Sequence, residues 1–404
     1  MTVKVLHVIG SVDPRSGGPI EGVFASSRVW LEHGHERHVL TLDAPDDPWV
    51  AASPIPAIAV GPQGRWYRFL RRWVPWLRYG YAPRLAPWLR RHAAHYDAVI
   101  VNGLWNYSSY GTWRGLRGSG VRYFVFPHGM LDPWFAETYP RKHIFKRLYW
   151  RLFEHKVLRD AAGVLYTAEE ERLRARQTFP ALPGREVVIG YGARDIGGDP
   201  QAQRAAFLDL LPAARHHRII LFLGRIHPKK GIDLLIEAYA RLAPRLSDYD
   251  LAIVGPDQTG WRADLEALAR RLGVAGRVHF PGMVSGDVKW GAFRTASCFV
   301  LPSHQENFGV AVAEAMAAGL PVLITGKVNI WREVEADGAG IGVDDTLDGV
   351  TEGLRRMCLQ PEAERAAMGR RARASFLTRY DLKKNALDLL ALVGLPDGSA
   401  PQQR

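Results

Sequence analysis

The chain has 404 residues, more than one ordinary domain holds, so its length predicts two or three domains. A hydrophobic content of 47% and a charged content of 23% are those of a soluble globular protein that buries a sizeable core in each half. The net charge of +12 is compatible with nucleic acid, anionic lipid or an anionic substrate as partner and does not choose among them.

We expect a cytoplasmic protein. The apolar run before Gly10 is short and lacks a cleavage-site pattern, so it predicts a first strand and not a signal peptide. No apolar stretch is long enough to span a bilayer. Cys298 and Cys358 both lie in apolar contexts, and we interpret them as core thiols of a reducing compartment, not as a disulfide or a metal site.

Short apolar strands alternate with helices through the first half of the chain. A glycine loop, Gly17-Gly18-Pro19, and a helix through Val29–Leu31 follow the first predicted strand. The predicted strands are Lys4–Ile9, Arg37–Leu42, Ala98–Val101 and Tyr123–Phe126. This alternation is typical of a parallel sheet that is covered on both faces.

The same alternation restarts near residue 218. A helix is predicted at Ile232–Leu242, after the first strand of this half. The predicted strands are Arg218–Leu223, Leu251–Val254, Arg277–Phe280, Cys298–Leu301 and Pro321–Ile324. The sequence therefore predicts a second doubly wound α/β domain.

Glycine and proline cluster between the two halves, from Gly190 to Pro200, and this segment is the predicted hinge. We place an amino-terminal domain at 1–193 and a carboxyl-terminal domain at 194–377. A last helix at 378–393 can pack back on the first domain. The tail, 394–404, is predicted to be disordered.

The strongest functional pattern is a pair of glutamates eight residues apart, Glu306 and Glu314. A strand ends before them, and a helix is predicted from Gly309 to a glycine C-cap at Gly319. Free amides at that helix start suit a diphosphate. A rise of about 1.5 Å per residue puts the two carboxylates roughly 12 Å apart if the loop continues the helix axis, which approaches the span from sugar to ribose in a nucleotide-sugar. Glu306 is then predicted to touch the transferred sugar and Glu314 the ribose. The alternative is two ordinary surface glutamates.

Two cations follow the first strand of the second half. Arg225 ends that strand, and Lys230 immediately precedes a helix. At the carboxyl end of a parallel sheet, this pair can neutralise a diphosphate leaving group, because Arg forks two oxygens while Lys acts as a point charge. The alternative is a solvated basic turn.

Two weaker patterns lie in the first half. The loop at Gly17 and Gly18 allows a close backbone approach to a ligand, although it is not a GxGxxG pattern and a plain tight turn is an equal alternative. His128 follows a strand, where it can polarise a sugar hydroxyl or the reacting centre. A structural histidine is the alternative there.

These residues resemble family 4 of the retaining glycosyltransferases over nearly the whole chain. The Glu-x7-Glu motif at Glu306 and Glu314 is the most specific part, and the Arg225–Lys230 pair, the glycine loop and His128-Gly129 match in type and order. The resemblance implies the GT-B fold, in which two Rossmann-like domains face each other across a deep cleft. The domain at 1–193 is then expected to bind the acceptor, and the domain at 194–377 is expected to bind the nucleotide-sugar donor.

The resemblance also implies roles for individual residues. Arg225 and Lys230 bind the donor diphosphate with Gly17 and Gly18 nearby, Glu314 binds the ribose, and His128 lies at the reaction centre. Glu306 holds the donor sugar with the backbone amides of Asn307, Phe308 and Gly309. Met283 and Val284 flank the base. Retention at the anomeric carbon without a cofactor or an obligatory metal is expected, and no DxD-like metal motif lies near a donor strand.

Two departures from the family pattern affect contacts on the acceptor side. The junction between the domains reads Gly190–Arg194 where members often carry Pro-Asn-Gly-Val-Asp, and Asn102 stands near a position where many relatives have histidine. Interdomain and acceptor contacts therefore do not carry over from the family.

Arginine and tryptophan are concentrated at residues 65–91, which contain eight arginines, four tryptophans and no acid. Trp66, Phe69, Leu70 and Trp73 follow helical spacing, so the segment predicts a basic amphipathic helix broken at Pro75. Such a helix suits an anionic membrane and predicts peripheral association with the inner face of the cytoplasmic membrane. The alternative is tryptophan in the core of the first domain with arginine in solvent.

The expected activity is transfer of a hexose-type sugar from a UDP- or GDP-sugar to a glycan or lipid-linked acceptor, in the synthesis of cell-surface polysaccharide or glycolipid. A nucleotide-sugar hydrolase or epimerase on the same fold is one alternative. A basic membrane or nucleic-acid binding protein without catalysis is another. No helix-turn-helix, zinc or RNA-binding signature is present, so nucleic acid is not an expected partner.

Overall fold

A computed structural model describes residues 2–63, 69–70, 73–74, 77, 79–138, 140–179 and 182–394. The chain forms two compact units. The first contains the residues up to Tyr191 together with a final helix, and the second is Gly192–Asp381. Each unit is built on one parallel sheet.

The first unit has a seven-stranded sheet in the order β3-β2-β1-β4-β5-β6-β7. Its strands are β1 Lys4–Ile9, β2 Glu36–Thr41, β3 Ala57–Ala59, β4 Ala98–Asn102, β5 Tyr123–Phe126, β6 Gly163–Tyr166 and β7 Glu186–Val188. All neighbouring pairs are parallel. The central strands are buried along their length, as expected for a sheet covered by helices on both faces.

The helices of the first unit connect these strands. They are α1 Gly18–Glu32, α2 Pro48–Ala51, α3 Leu85–His92, α4 Tyr107–Leu116, α5 Trp134–Thr138, α6 Pro140–Tyr149, α7 His155–Arg159 and α8 Glu169–Thr178. A π-helical turn, Trp150–Glu154, joins α6 to α7. One face of the sheet packs against α3, α4 and α7, and this core includes Leu89, Trp113 and Leu158.

The second unit has a six-stranded parallel sheet in the order β10-β9-β8-β11-β12-β13. Its strands are β8 Arg218–Leu223, β9 Tyr249–Val254, β10 Val278–Gly282, β11 Ala296–Leu301, β12 Val322–Thr325 and β13 Gly340–Val343. Its helices are α9 Pro200–Leu210, α10 Ile232–Leu242, α11 Arg262–Arg271, α12 Gly286–Thr295, α13 Val310–Ala317, α14 Trp331–Ala336, α15 Leu347–Leu359 and α16 Glu362–Ser375.

The final helix, α17 Leu382–Gly394, belongs to the first unit. Its Ala386, Leu389, Leu392 and Val393 join the core beneath α1. The indole Nε1 of Trp30 in α1 donates a hydrogen bond to the Ala386 carbonyl at 2.7 Å. The chain therefore leaves the first unit at Tyr191 and returns to it at Leu382.

The strands and helices predicted from the sequence are present, and most of their ends lie within two residues of the predicted ends. Four strands were not predicted: β3, β6, β7 and β13. Cys298 and Cys358 are free thiols and are buried. The predicted tail, 394–404, lies outside the described residues except for Gly394.

Nine residues of the predicted amphipathic segment, 65–91, also lie outside the described residues. In its described part, Trp73 is 74% exposed. Trp88, in α3, packs against the core of the first unit, as the alternative interpretation expects of tryptophan. In the part of the chain that the structure describes, no helix combines the length and apolar character needed to cross a membrane.

Candidate functional site

The strand order reverses at one place in each sheet, between β1 and β4 and between β8 and β11. The loops that leave neighbouring strands in opposite directions open a crevice at such a point, at the carboxyl ends of the strands. The loops after β1, β5, β8 and β11 carry Gly17, His128, Arg225 and Glu306. The candidate residues therefore form two groups, one on each unit.

In the second unit, the loop after β8 lies against the end of β11. Gly231 has a φ of +64°, and a Cβ at this position would lie 2.2 Å from the Pro302 carbonyl oxygen, so only glycine permits this approach. As a result, the Lys230 ammonium donates a hydrogen bond to the Glu306 carboxylate. Two residues predicted separately from the sequence are thus in direct contact.

Positive charge surrounds the Glu306 carboxylate. Burial opposes its ionisation, but Lys230, Lys229 and Arg225 outweigh that effect and hold the pKa of Glu306 below its usual value. The Lys229 ammonium donates to Gln305 Oε1 at 2.8 Å, and the Arg225 guanidinium donates to Gln258 Oε1 at 3.3 Å. The loop therefore presents one ionised carboxylate beside three cations.

The segment from Glu306 to Gly309 is not helical. The Glu306 N–H donates to the Lys327 carbonyl, and Glu306 forms a bridge with Val328, so its backbone is held against the loop after β12. Gly309 then turns the chain at a φ of +77° into α13. Glu306 therefore lies on a loop before the helix, as expected, and the separation calculated for a continued helix axis does not apply, because β-type pairing fixes Glu306 outside the helix.

The side chains between Glu306 and α13 face different neighbours. Asn307 Oδ1 accepts a hydrogen bond from the Asn329 amide at 3.2 Å. Phe308 is buried and packs edge-on against Tyr380 at 5.6 Å. These contacts fix the backbone that leads to the start of α13, where the amides of the first helical turn are not used within the helix.

Glu314, in the second turn of α13, is largely buried and pairs with Lys289 of α12 at 2.6 Å. Sequence reasoning missed Lys289, because nothing in its local sequence marks it. The pair joins two helices that follow different strands of the sheet. The proposed base-flanking residues Met283 and Val284 follow β10 on the same edge of the sheet, and Met283 is 75% exposed.

In the first unit, His128 lies two residues after the end of β5 with a φ of +51°, which is unusual for a residue other than glycine. Its ring stacks on Phe126 at 5.3 Å. Burial lowers the pKa of His128 to about 4, so the imidazole is neutral near pH 7.

A hydrogen-bond chain fixes the tautomer of this imidazole. The Asn102 amide nitrogen lies 3.1 Å from His7 Nδ1 and donates to it, and Asn102 Oδ1 lies 3.3 Å from His128 Nε2. Nε2 therefore carries the proton, and Nδ1 is the acceptor side of the ring. Asn102 thus positions His128, a role that the sequence did not reveal.

Two further side chains hold the loops of this group. The Glu171 carboxylate accepts hydrogen bonds from the Gly129 N–H at 2.6 Å and from the Thr167 N–H at 2.7 Å. The Tyr191 ring packs edge-on against His128 at 6.3 Å, and its hydroxyl donates to the Gly18 carbonyl at 3.1 Å. Tyr191 therefore connects the glycine loop with His128. Gly17, at a φ of +70°, precedes α1 with open space beside it.

A cavity of about 560 Å³ opens at the switch point of the first unit. Its lining comes from the ends of β1, β2 and β4 and includes Gly10, Asp43, Tyr79, Asn102 and Asn106. The volume is that of a site for a small polar molecule. Over the described ranges, no group of three or more His, Cys, Asp or Glu side chains is arranged to hold a metal ion.

Two α/β units, each built on one parallel sheet with a switch point in its strand order, are the architecture of the GT-B class of fold. Residues 17–192 match the family model described as glycosyl transferase 4-like domain, and residues 211–375 match that described as glycosyl transferases group 1. The chain belongs to glycosyltransferase family 4.

Named relatives agree with this assignment. The D-inositol 3-phosphate glycosyltransferase of Geodermatophilus obscurus is 32% identical over 198 residues, which cover 47% of this chain and 44% of that protein. The phosphatidyl-myo-inositol mannosyltransferase of Mycolicibacterium smegmatis is 37% identical over 184 residues, 44% of each chain. Each match thus spans less than half of the relative's length.

The solved structure of Anabaena HepE in complex with UDP-glucose is similar over 97% of this chain and 99% of that one, with a TM-score of 0.72 and 18% identity. At this level of identity, the likeness supports the fold.

Proposed function

We propose that the protein is a retaining glycosyltransferase that moves a hexose-type sugar from a nucleotide-diphospho-sugar to a glycan or lipid-linked acceptor. The observation that carries this proposal is the cluster of Arg225, Lys230 and Glu306 at the switch point of the second unit. A partly buried carboxylate beside several cations matches a donor that carries sugar hydroxyls next to a diphosphate.

The cations act on the leaving group. As the glycosidic bond breaks, negative charge develops on the diphosphate, and Arg225 and Lys230 stabilise it without a metal. In the described structure Lys230 is paired with Glu306. Donor binding therefore exchanges this pair: phosphate oxygens accept from Lys230, and Glu306 is released to accept hydrogen bonds from sugar hydroxyls.

Glu314 is the proposed ribose ligand. Its carboxylate is oriented by Lys289, which leaves acceptor capacity for the two ribose hydroxyls. The amides of Asn307, Phe308 and Gly309 are proposed to hold the donor sugar with Glu306. On the other unit, the neutral His128 offers Nδ1 to a hydroxyl at the reacting centre.

The donor is proposed to be a UDP- or GDP-hexose. The UDP-glucose complex of Anabaena HepE and the names of the inositol-phosphate and mannosyl transferase relatives support this class. A panel of UDP- and GDP-sugars scored by thermal shift identifies the donor, because a bound ligand raises the melting temperature by mass action. We further propose a role in cell-surface polysaccharide or glycolipid synthesis.

Calorimetry with UDP and GDP tests the donor site. We expect Arg225→Ala and Glu314→Ala each to weaken nucleotide binding at least tenfold, since each removes a charge-assisted contact worth about 1.5–3 kcal/mol. Arg270→Ala and Glu364→Ala are matched controls on exposed helix positions and leave binding unchanged. Wild-type affinity in both site variants would refute the donor-site assignment.

The proposed metal independence is tested with EDTA. Because Arg225 and Lys230 supply the charge that a divalent cation supplies in other sites, we expect the rate of sugar transfer to be the same with and without chelator. Loss of transfer in EDTA, with recovery on adding Mg²⁺ or Mn²⁺, would contradict this part of the proposal. Proton NMR of the product gives the anomeric configuration, which should equal that of the donor.

His128 is tested by His128→Asn, because asparagine tolerates a positive φ. We expect kcat to fall about 100-fold or more while nucleotide affinity, measured by calorimetry, stays constant. His95→Asn, at an exposed position, is the control. An equal loss of nucleotide binding would assign His128 a structural role instead.

A nucleotide-sugar hydrolase or epimerase on this fold is the alternative activity. It predicts donor consumption at a rate that an acceptor does not increase. A transferase instead consumes donor in proportion to acceptor. Measuring nucleotide release with and without a panel of acceptors separates the two activities.

A further inference from the structure

Helix α6 and the π-helical turn after it present four exposed apolar side chains. Ile144, Phe145, Leu148 and Leu152 are 69%, 75%, 58% and 47% exposed. Positions 144, 148 and 152 are four residues apart and lie on one face, with 145 beside them. Clustered exposed apolar side chains of this size mark an interaction surface. We call these four residues the α6 apolar face.

Basic side chains flank the α6 apolar face. Arg141, Arg147 and Arg151 are exposed, and the sequence has no Asp or Glu between Thr138 and Phe153. A helix with apolar side chains on one side and arginines around them matches the headgroup layer of an anionic bilayer, where the apolar groups enter the acyl boundary and the arginines meet phosphates.

The same charge disfavours a second copy of the chain as the occupant. Two α6 apolar faces in a symmetric pair would bring the arginines of one copy against those of the other, which is repulsive. An anionic lipid surface instead satisfies the apolar and the cationic groups together.

The inner side of α6 reaches the cavity of the first unit. The Lys146 ammonium lies 5.0 Å from the centre of the Trp105 ring. The Tyr149 ring packs edge-on against Tyr79 at 5.3 Å, and Tyr79 lines the cavity. One layer of aromatic side chains therefore separates the α6 apolar face from the cavity.

From this placement, we propose that the α6 apolar face docks the protein on an anionic lipid bilayer with its cavity beside the lipid headgroups. This surface is distinct from the segment 65–91, and docking goes beyond the proposed function because it requires no catalysis. Only its consequence, that an acceptor carried in the bilayer reaches the cavity without leaving the headgroup layer, rests on the proposed transferase activity.

Vesicle co-sedimentation tests the docking. The full chain should bind vesicles that contain phosphatidylglycerol more tightly than vesicles of phosphatidylcholine alone. Phe145→Ser/Leu148→Ser should weaken binding about tenfold or more, and Arg147→Gln/Arg151→Gln about 25-fold, from about fivefold per cation. The matched controls, Leu210→Ser/Leu272→Ser and Arg270→Gln/Arg271→Gln, change exposed side chains of the second unit and should bind like the wild type.

Equal losses in the α6 variants and their controls would overturn the proposal, as would equal binding to the two kinds of vesicle. Self-association that depends on Phe145, without vesicle binding, would replace it with a protein interface. All variants alter exposed side chains, and unchanged thermal unfolding confirms that they fold. Vesicle binding by a protein that binds no nucleotide would keep the docking and reject the proposed function.

A fluorescent label gives a local reading. Because Cys298 and Cys358 are both buried, a polarity-sensitive thiol dye will label Phe145→Cys selectively in the folded protein. We expect a blue shift on addition of anionic vesicles, and none for a dye at Leu210→Cys. A dye at position 145 that stays in a water-like environment while the protein sediments with vesicles would also overturn the proposal.

Discussion

The contact between Lys230 and Glu306 pairs two oppositely charged side chains that are each less than one-fifth exposed. A partly buried pair of this kind is costly to break from one side, because the remaining charge is left without its partner. Replacing both side chains with neutral ones costs less, because no unpaired charge remains. This asymmetry separates the structural role of the pair from its proposed role in donor binding.

We therefore expect Lys230→Met to lower the free energy of unfolding by about 2 kcal/mol. Lys230→Met/Glu306→Gln should recover most of that loss while donor binding stays weak. Urea denaturation gives the stabilities, and calorimetry gives the affinities. Lys384→Met breaks an exposed pair with Asp388 and should change stability little. Additive losses in the double variant would show that the pair is not coupled.

Glu154 is a buried carboxyl of the first unit. One oxygen accepts hydrogen bonds from the Trp105 N–H and the Ser109 hydroxyl at 2.8 and 2.7 Å. Burial raises the pKa of Glu154 to about 7, against these hydrogen bonds. Between about pH 4.5 and pH 7 the folded state holds a proton that the unfolded state releases, so ionisation lowers the free energy of unfolding as pH rises.

Glu154→Gln should remove this pH dependence, since the amide oxygen can still accept from Trp105 and Ser109. We expect the stability of the variant relative to the wild type to increase by about 2.5 kcal/mol from pH 5 to pH 8. Urea denaturation at several pH values measures it, with Glu364→Gln at an exposed position as control. Parallel stability curves for variant and wild type would show that Glu154 ionises normally.

Helices α9 and α12 pack so closely that one glycine decides their contact. A Cβ at Gly291 would lie 1.9 Å from the Gln203 backbone oxygen. This contact holds α12, which carries Lys289 to Glu314. The position of a proposed ligand of the ribose therefore depends on a glycine outside the site.

Gly291→Ala should destabilise the protein by about 2 kcal/mol, because the helices must separate to admit the methyl group. It should also weaken nucleotide binding through the shift of Lys289. Thermal unfolding and calorimetry measure the two effects. Gly276→Ala is the matched control, since nothing lies within 4 Å of a Cβ there. Equal melting temperatures for the two variants would mean that α9 and α12 yield without cost.

Helix α17 completes a core of the first unit whose other parts precede it by more than 180 residues. Leu392→Ala should therefore cost about 3 kcal/mol, since the side chain is almost fully buried. Hydrogen exchange should show the loss of protection in β1, β4 and α1, and not in β8 or β9. Lys384→Ala, on the exposed side of the same helix, is the control. Equal loss of protection in both sheets would show that the two units unfold as one.

Much of the architecture could be predicted from the sequence because parallel strands buried on both faces are continuous apolar runs, as in Ala98–Val101. Two of the missed strands, β3 and β7, lack that signal, because they are only three residues long and half-buried. In the candidate site, the spacing of residues within the sequence motifs was enough to identify Glu306, Glu314, Arg225 and Lys230. Lys289 and Tyr191 could not be found in this way, since their partners lie 25 and 173 residues away.

The return of α17 to the first unit affects how the chain folds during synthesis. A ribosome produces the seven strands of the first sheet early, yet the helix that covers Trp30 emerges only after all of Gly192–Asp381. At about 5–20 residues per second this interval lasts on the order of ten seconds or more. During this interval the nascent first unit exposes the apolar surface that α17 later covers, while the second unit is free to fold. The second unit can therefore complete its fold before the first unit does, although its sheet comes later in the sequence.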